Sequence, residues 1–230
     1  MNSIRTRGIV LKRTDYGEAD RIVTMLTPDQ GKLRLMARGV RKPKAKLAGG
    51  IELFSVSDLS FIRGRGEIGT LISARLDRHY GKIVNDIDRV QLGYELMKLL
   101  DKATEDEPEE AYFYLMEQAL RALDDEKISL DLVRAWFGAH MLRLAGHAPN
   151  LKTTAAGGAL SESDRYVFDF DHMAFEPKPS GRFGPADIKF LRLLFSGHAP
   201  AALSRVDSLD GLLARCAPLL AASLKNHMHV

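Results

Sequence analysis

Gly31-Lys32-Leu33-Arg34-Leu35-Met36-Ala37-Arg38-Gly39-Val40-Arg41-Lys42-Pro43-Lys44-Ala45-Lys46 is the stretch on which the reading of this chain turns. Seven of the fifteen residues from Lys32 to Lys46 are Lys or Arg, and no acidic residue falls between Asp29 and Glu52. The first half alternates as a strand does: Lys32, Arg34 and Arg38 point one way, Leu33, Leu35 and Ala37 the other. Gly39 and Pro43 break the second half into what reads as a flexible basic loop. A cationic strand running into a cationic loop suits a polyanion better than a small substrate. The competing explanation is plain solubility, since exposed edge strands often carry Lys. Solubility needs only interspersed charges, however, and not a continuous patch.

Working outward, the residues up to Tyr80 hold 16 basic and 8 acidic side chains, which leaves 17 and 22 of the chain's 33 and 30 for the remainder. The formal net charge of +3 therefore conceals a front part at +8 and a rear part at −5. Such asymmetry points to a nucleic-acid or anionic-surface footprint in the front part. The 45% hydrophobic and 27% charged content of the 230 residues is ordinary for a globular protein with a real core. Met1-Asn2-Ser3-Ile4-Arg5-Thr6-Arg7 has no apolar stretch behind its charges, so no signal peptide is expected. No apolar run approaches the ~18 residues that cross a membrane. Cys216 is the only cysteine, which leaves no internal disulfide. A cytoplasmic, nucleoid-associated protein without membrane partners is the expectation.

The first eighty residues read as β. Strands are expected over Arg5 to Arg13, Arg21 to Thr27, Lys32 to Val40, Ile51 to Arg63 and Ile68 to Leu76, with turn signals at Pro28-Asp29-Gln30-Gly31, Gly49-Gly50 and Gly64-Arg65-Gly66. Five short strands fit a small barrel of the OB type, whose open face and loops bind oligonucleotides; an SH3-like barrel is the structural rival. From Asn85 the period changes to about 3.6. Asn85 or Asp86 would cap a helix turning Ile87, Val90, Tyr94, Met97 and Leu100 inward. Glu105-Asp106-Glu107-Pro108 would end it and begin a second that buries Tyr112, Leu115, Met116, Ala119 and Leu123. Ser129 would cap a third, with Leu130, Val133, Phe137, Met141 and Leu144 inward and Gly146 as its stop. Leu151 to Ser163 reads as a loop. Tyr166 to Phe170 and Met173 to Phe175 suggest a hairpin, and helices about Pro185 to Phe195 and Ser208 to Lys225 follow, the last kinked or interrupted at Pro218. The fold class is α+β: domain 1–80 is an OB-type five-stranded β-barrel, and domain 81–230 is helical with a small β-hairpin insertion about 147–180.

No catalytic constellation emerges. Gly64-Arg65-Gly66-Glu67-Ile68-Gly69 matches the spacing of a dinucleotide fingerprint, but a strand follows where that chemistry needs a helix N-terminus. It reads as a hairpin turn. His140 and His147 need not share a helical face, and His227 and His229 sit at the end of the sequence, so the histidines are not expected to ligate metal. Asp15, Glu18 and Asp20 read as a solvated turn with Arg21 as an ion-pair partner. Cys216 lies in an apolar helical stripe with Leu212, Leu213 and Leu219, and is expected to be a core residue. Tyr16, Phe54 and Phe61 are the candidates for stacking on bases; Phe54 and Phe61 could equally fill the barrel interior. Trp136-Phe137 could also stack on bases if exposed, but their helical phase with Val133 and Met141 makes at least Phe137 a core residue.

Gly8-Ile9-Val10-Leu11-Lys12, Tyr16-Gly17-Glu18-Ala19-Asp20-Arg21-Ile22-Val23, Thr27-Pro28 with Gly31-Lys32, Ala37-Arg38-Gly39-Val40-Arg41 and Gly50-Ile51-Glu52-Leu53-Phe54 together resemble the RecO family of bacterial DNA repair proteins. The likeness is dense over the first eighty residues. It is looser beyond, where Leu144-Ala145-Gly146-His147-Ala148-Pro149-Asn150-Leu151 stands where the family has a comparable segment. The resemblance implies an OB fold, a helical body and a recombination mediator without a catalytic site. It further implies binding of single- and double-stranded DNA, annealing of complementary strands, engagement of the acidic C-terminal tail of single-strand binding protein (SSB), and action with RecR, sometimes RecF, to load RecA. Many members carry a four-cysteine zinc module beginning C-x-x-C-G. Here Thr154 and Gly157 stand in the cysteine places of Thr154-Ala155-Ala156-Gly157-Gly158, and the later pair is missing, so no zinc or other cofactor is expected.

The expected nucleic-acid surface is Arg34, Arg38, Arg41, Lys42, Lys44 and Lys46, with Lys32 and Arg7 in support. A terminal carboxylate of the SSB tail needs a cation beside an apolar pocket, and Arg121, Arg134 and Arg143 in the helical part are the candidates. The alternative function is an RNA-binding or ribosome-associated OB-fold adaptor, which shares the basic barrel.

Overall fold

The structure is a computed structural model and describes residues 3–64, 66–104, 109–162 and 164–228. It divides into two compact units, 1–126 and 127–230. The readings placed on Arg65, on Glu105-Asp106-Glu107-Pro108, on Ser163 and on His229 lie outside the described residues.

The first unit opens with five strands, β1 (Ile4–Tyr16), β2 (Asp20–Leu26), β3 (Lys32–Ala37), β4 (Ser55–Ile62) and β5 (Ile68–His79). They close into a barrel in the order β1-β2-β3-β5-β4, the five-stranded OB-like ring that the strand count suggested. β1 is long enough to serve two neighbours. Its first half pairs antiparallel with β4 from Ile4↔Phe61 to Ile9↔Val56, and its second half pairs with β2 from Ile9↔Leu26 to Tyr16↔Asp20. A register shift between Val10 and Lys12 bends it between these partners. The ring is sealed by a short parallel pairing of β3 with β5, Arg34↔Ile68 to Met36↔Thr70.

Alternation along the strands fills the interior. Val10, Val23, Met25, Leu33, Leu35, Ala37, Leu59, Phe61 and Leu71 are all buried there. Between β3 and β4 the chain does not extend as the sequence reading had it. β3 ends at Ala37, and Ile51 precedes the next strand instead of beginning it. Val40 and Ile51 are buried as plugs of the barrel core, which forces the intervening backbone into turns. Gly50 makes one of these possible. A Cβ there would lie 2.3 Å from the Ala74 carbonyl oxygen on β5, whereas a Cβ at Gly49 meets nothing within 4 Å.

Two helices complete this unit, α1 (Ile87–Ala103) and α2 (Glu110–Leu123). Asp86 caps α1, accepting from the backbone N–H groups of Asp88 and Arg89. The inward stripe of α1 differs from the expected one. Ile87 is 77% exposed and Tyr94 is also exposed, while Leu92, Leu96, Met97 and Leu100 are buried together with Arg89. Arg89 turns the helix to this phase. Its guanidinium donates to the carbonyls of Leu123, Asp125 and Glu126, oxygens left without helical donors at and after the end of α2. Tyr112, Leu115, Met116, Ala119 and Leu123 of α2 are buried as expected.

The second unit contains α3 (Leu130–Leu144), β6 (Asn150–Thr154), β7 (Tyr166–Asp169), β8 (Ala174–Pro177), α4 (Pro185–Leu194), α5 (Pro200–Leu203) and α6 (Leu209–Met228). Ser129 caps α3, and Gly146, at φ 79°, supplies the left-handed turn that ends it. The segment read as a loop contributes β6, which joins the β7–β8 hairpin in the order β6-β8-β7. That hairpin is held by aromatic packing: Phe175, fully buried, meets Tyr166, Phe168 and Phe183 edge-on at 6.3, 5.0 and 5.5 Å. α6 is not interrupted at Pro218, interruption being one of the two outcomes the sequence suggested. Proline lacks the N–H that Ala214 O would accept, and Arg182 Nη2 supplies that donor instead at 3.1 Å. No helix among the described residues is long and apolar enough to cross a membrane.

Gly50→Ala should cost about 1–3 kcal/mol of stability in denaturant unfolding, because the Ala74 backbone cannot yield, while Gly49→Ala should be near neutral. Equal effects of the two substitutions would show that the turn tolerates a Cβ.

Candidate nucleic-acid interface

On β3 the alternation read from the sequence holds. Leu33, Leu35 and Ala37 are buried, and Arg34 projects outward between Thr24 of β2 and Ile68 of β5. The loop that follows is a series of hydrogen-bonded turns. Lys42 N donates to Gly39 O, Ala45 N to Lys42 O and Ala48 N to Ala45 O. It is tied to the β1–β2 turn at its start. Gly39 N donates to Asp20 Oδ1 at 2.7 Å, Arg41 N to Ala19 O at 2.9 Å, and Arg41 Nη1 to Gly17 O at 3.2 Å. Lys44 adopts φ 61°, a left-handed conformation that disfavours any residue with a Cβ. With Val40 buried beneath, Arg38, Arg41, Lys42, Lys44 and Lys46 are all exposed along one short segment.

Their electrostatic surroundings sort the expected site residues into two groups. Arg38, Lys42, Lys44 and Lys46 have no ion-pair partner among the described residues. Arg34 meets Glu67 at 3.4 Å and Arg41 meets Asp15 at 3.5 Å, both on the surface, where such pairs contribute little. The Asp15 carboxyl is held below its usual range, first by the hydrogen bond from Arg21 and then by the nearby Arg41 charge. Arg7 and Lys32 are placed otherwise. Arg7 pairs with Glu117 of α2 at 3.0 Å and with Asp77 at 3.3 Å, and lies over the Phe113 ring. The Lys32 side chain is only 15% exposed; its ammonium donates to the carbonyls of Asp101 and Thr104 and faces the Asp101 carboxylate at 3.3 Å. Both cations tie the barrel to the helices of their own unit.

The structure adds Arg63, which the sequence reading passed over. It stands exposed in the β4–β5 connection and donates to Gln30 Oε1 at 3.0 Å. With Lys32, Arg34, Gly64, Gly66 and Glu67 it lines a groove of about 280 Å³ beside β3. Its signal was positional: it is the first residue of the loop that flanks the binding face in barrels of this type. Of the stacking candidates, Tyr16 is exposed at the end of β1, while Phe54 and Phe61 are buried; Phe54 packs against Tyr94 of α1. Trp136 is buried with Phe137, its Nε1 donating to His198 O.

The three arginines named for a partner's carboxylate fall in both units. Arg121 is exposed on α2 in the first unit. Arg134 and Arg143 lie nine positions apart on α3, two and a half turns, and so face opposite sides of that helix. Among the described residues no group of three or more His, Cys, Asp or Glu could hold a metal ion. Burial pushes the Cys216 thiol up to about 12, far from a reactive thiolate. At Thr154-Gly157 there is neither thiolate nor imidazole, so these residues do not fit a zinc ion. The turn is closed by Gly157 N donating to Thr154 O and Gly158 N to Thr154 Oγ1.

Two family models match the chain: recombination protein O N terminal over residues 1–80, and recombination protein O C terminal over residues 84–207. The DNA repair protein RecO of Roseiflexus sp. (strain RS-1) is 38% identical over 157 residues, 68% of this chain and 54% of that protein. The RecO of Halalkalibacterium halodurans is 33% identical, across 64% of this chain and 58% of its own length. That of Listeria welshimeri is 32% identical over 201 residues, 83% of this chain and 76% of the relative. The chain thus spans little more than half the length of several curated relatives it matches.

Arg7→Ala leaves the Glu117 carboxylate, 11% exposed, without its cation, and should cost about 1–3 kcal/mol in denaturant unfolding. Lys42→Ala and Lys46→Ala should stay within roughly 0.5 kcal/mol of the unchanged chain. Indistinguishable unfolding midpoints for the three would remove Arg7 from the structural group.

Proposed function

Because the chain belongs to the recombination protein O family, we propose that it is a DNA repair and recombination mediator that acts by binding and not by catalysis. It holds single- and double-stranded DNA, anneals complementary strands, and helps load RecA onto SSB-covered single strands together with RecR and sometimes RecF, in the cytoplasm at the nucleoid. The observation that carries this reading is the exposed cationic segment Arg38 to Lys46 on an OB-like barrel, four of its side chains without a carboxylate partner among the described residues.

Annealing asks a protein to bring two polyanions together without locking either. Lysines and arginines on turns do this by displacing condensed counterions, which lowers the repulsion between strands. Arg34 extends the surface along β3, and Arg63 continues it at the β4–β5 loop. Glu67 and Asp15 sit on Arg34 and Arg41 only as exposed partners, so a phosphate can take their place. Sequence preference should be slight, because phosphate contacts carry no base information. Contacts to the SSB tail are proposed at Arg121, Arg134 or Arg143.

If ~5 phosphates of a single strand are contacted, log affinity should fall against log salt with a slope of about −3 to −4. Reversing charge at Arg41, Lys42 and Lys44 together should flatten that slope; an unchanged slope and affinity would place the surface elsewhere. Complementary DNA oligonucleotides should anneal faster with the protein than without it. Tight binding with no acceleration would favour the RNA-binding or ribosome-associated adaptor instead.

A further inference from the structure

The barrel carries a second groove, lined by three arginines and one carboxylate. It lies on the outward face of β1, β4 and β5, has a volume of about 660 Å³, and is lined by Arg5, Arg7, Asp58, Ser60, Ser73 and Arg75 among others. Strand register arranges these side chains in two rows. Arg5 pairs with Ser60, and Ser60 with Ser73; Arg7 pairs with Asp58, and Asp58 with Arg75. Residues two apart on one strand share a face and stand about 7 Å from each other, so the rows form a ladder of cations and hydroxyls with the Asp58 carboxylate between Arg7 and Arg75.

The charges differ in availability. Arg7 is occupied by Glu117 and Asp77. Arg75, whose side chain is 84% exposed, touches Asp58 at 3.0 Å in a surface pair of the kind that yields readily to a competing anion. Arg5 is exposed and has no ion-pair partner among the described residues. Ser60 and Ser73 make no side-chain hydrogen bond among the described residues, so both hydroxyls are free to donate. The central strand of this face is separated by one strand, β5, from β3, which leads into the basic loop. In the ring β1-β2-β3-β5-β4, β4 at the centre of the groove neighbours neither β2 nor β3.

We propose that this β1–β4–β5 face, through Arg5 and Arg75 with Ser60 and Ser73, binds the phosphates of a second nucleic-acid strand while the Arg38–Lys46 segment holds the first. The inference rests on the annealing function proposed above and gives it a geometry. Two surfaces on one barrel keep both strands on the same molecule, and exposed phosphate contacts of this kind release each strand as readily as they take it up.

The test uses the full chain with R5E/R75E, and with R5Q/R75Q as a milder pair that removes charge without adding carboxylates. Thermal midpoint, titration of one labelled single-stranded oligonucleotide, and the rate of annealing to its complement are measured for each. The thermal midpoint should be unchanged and single-strand affinity should stay within about twofold of the unchanged chain, while annealing slows about tenfold or more for R5E/R75E and by less for R5Q/R75Q. Annealing at the original rate in both variants overturns the inference. So does a parallel loss of single-strand affinity and annealing, which would merge this face with the first surface. Suppression of annealing by polyglutamate as strong as that by an oligonucleotide of equal charge would hand the groove to an acidic protein and overturn it as well. If the unchanged chain neither binds nor anneals, the function proposed above has failed and this inference falls with it, a result separate from failure of the variants alone.

Discussion

Everything in the first unit depends on β1 being shared between two partners. One continuous strand pairs with β4 in its first half and β2 in its second, and the register shift after Val10 lets it turn between them. Once β1 is bent this way, the remaining strands have to close the ring, and the short parallel contact of β3 with β5 does so. Closure removes edge strands, which would otherwise pair with other chains. It also divides every strand into residues that fill the interior and residues that face outward. Binding surfaces on such a barrel can therefore come only from outward positions and from connections.

The connection between β3 and β4 shows how that constraint shapes the candidate site. Val40 and Ile51 are drawn into the barrel core, so the residues between them must double back over its mouth. The hydrogen bonds of Gly39 and Arg41 to the β1–β2 turn then fix where the basic segment sits. Cations on this segment face outward because nothing apolar is left for them to cover. Two cations elsewhere on the barrel have another role. Arg7 and Lys32 meet the acidic and carbonyl groups of α1 and α2, where their loss would leave buried polar groups without partners.

The second unit solves its own problem of a small sheet with little core. A ring of aromatic side chains around Phe175 secures the hairpin, and Thr154 closes the adjoining turn by hydrogen bonds. A similar economy appears at Pro218, where Arg182 supplies the donor that the proline lacks. In both places a local defect is answered by a side chain distant in sequence.

What the sequence alone determined was the part governed by local period and local chemistry. Alternation at Lys32 to Ala37, turn residues between the strands, capping by Asp86 and Ser129, and the acid-free cationic run are all properties of neighbouring residues, so the barrel, the helices and the basic segment were legible. Tertiary structure decided what depends on partners far along the chain. The inward phase of α1 follows from Arg89 reaching the end of α2, and β6 exists because β8 is there to pair with it. Which lysines and arginines are free to meet an anion belongs to the same class. Charge is written in the sequence, but the availability of a charge depends on whether folding brings a carboxylate or a carbonyl within reach of it.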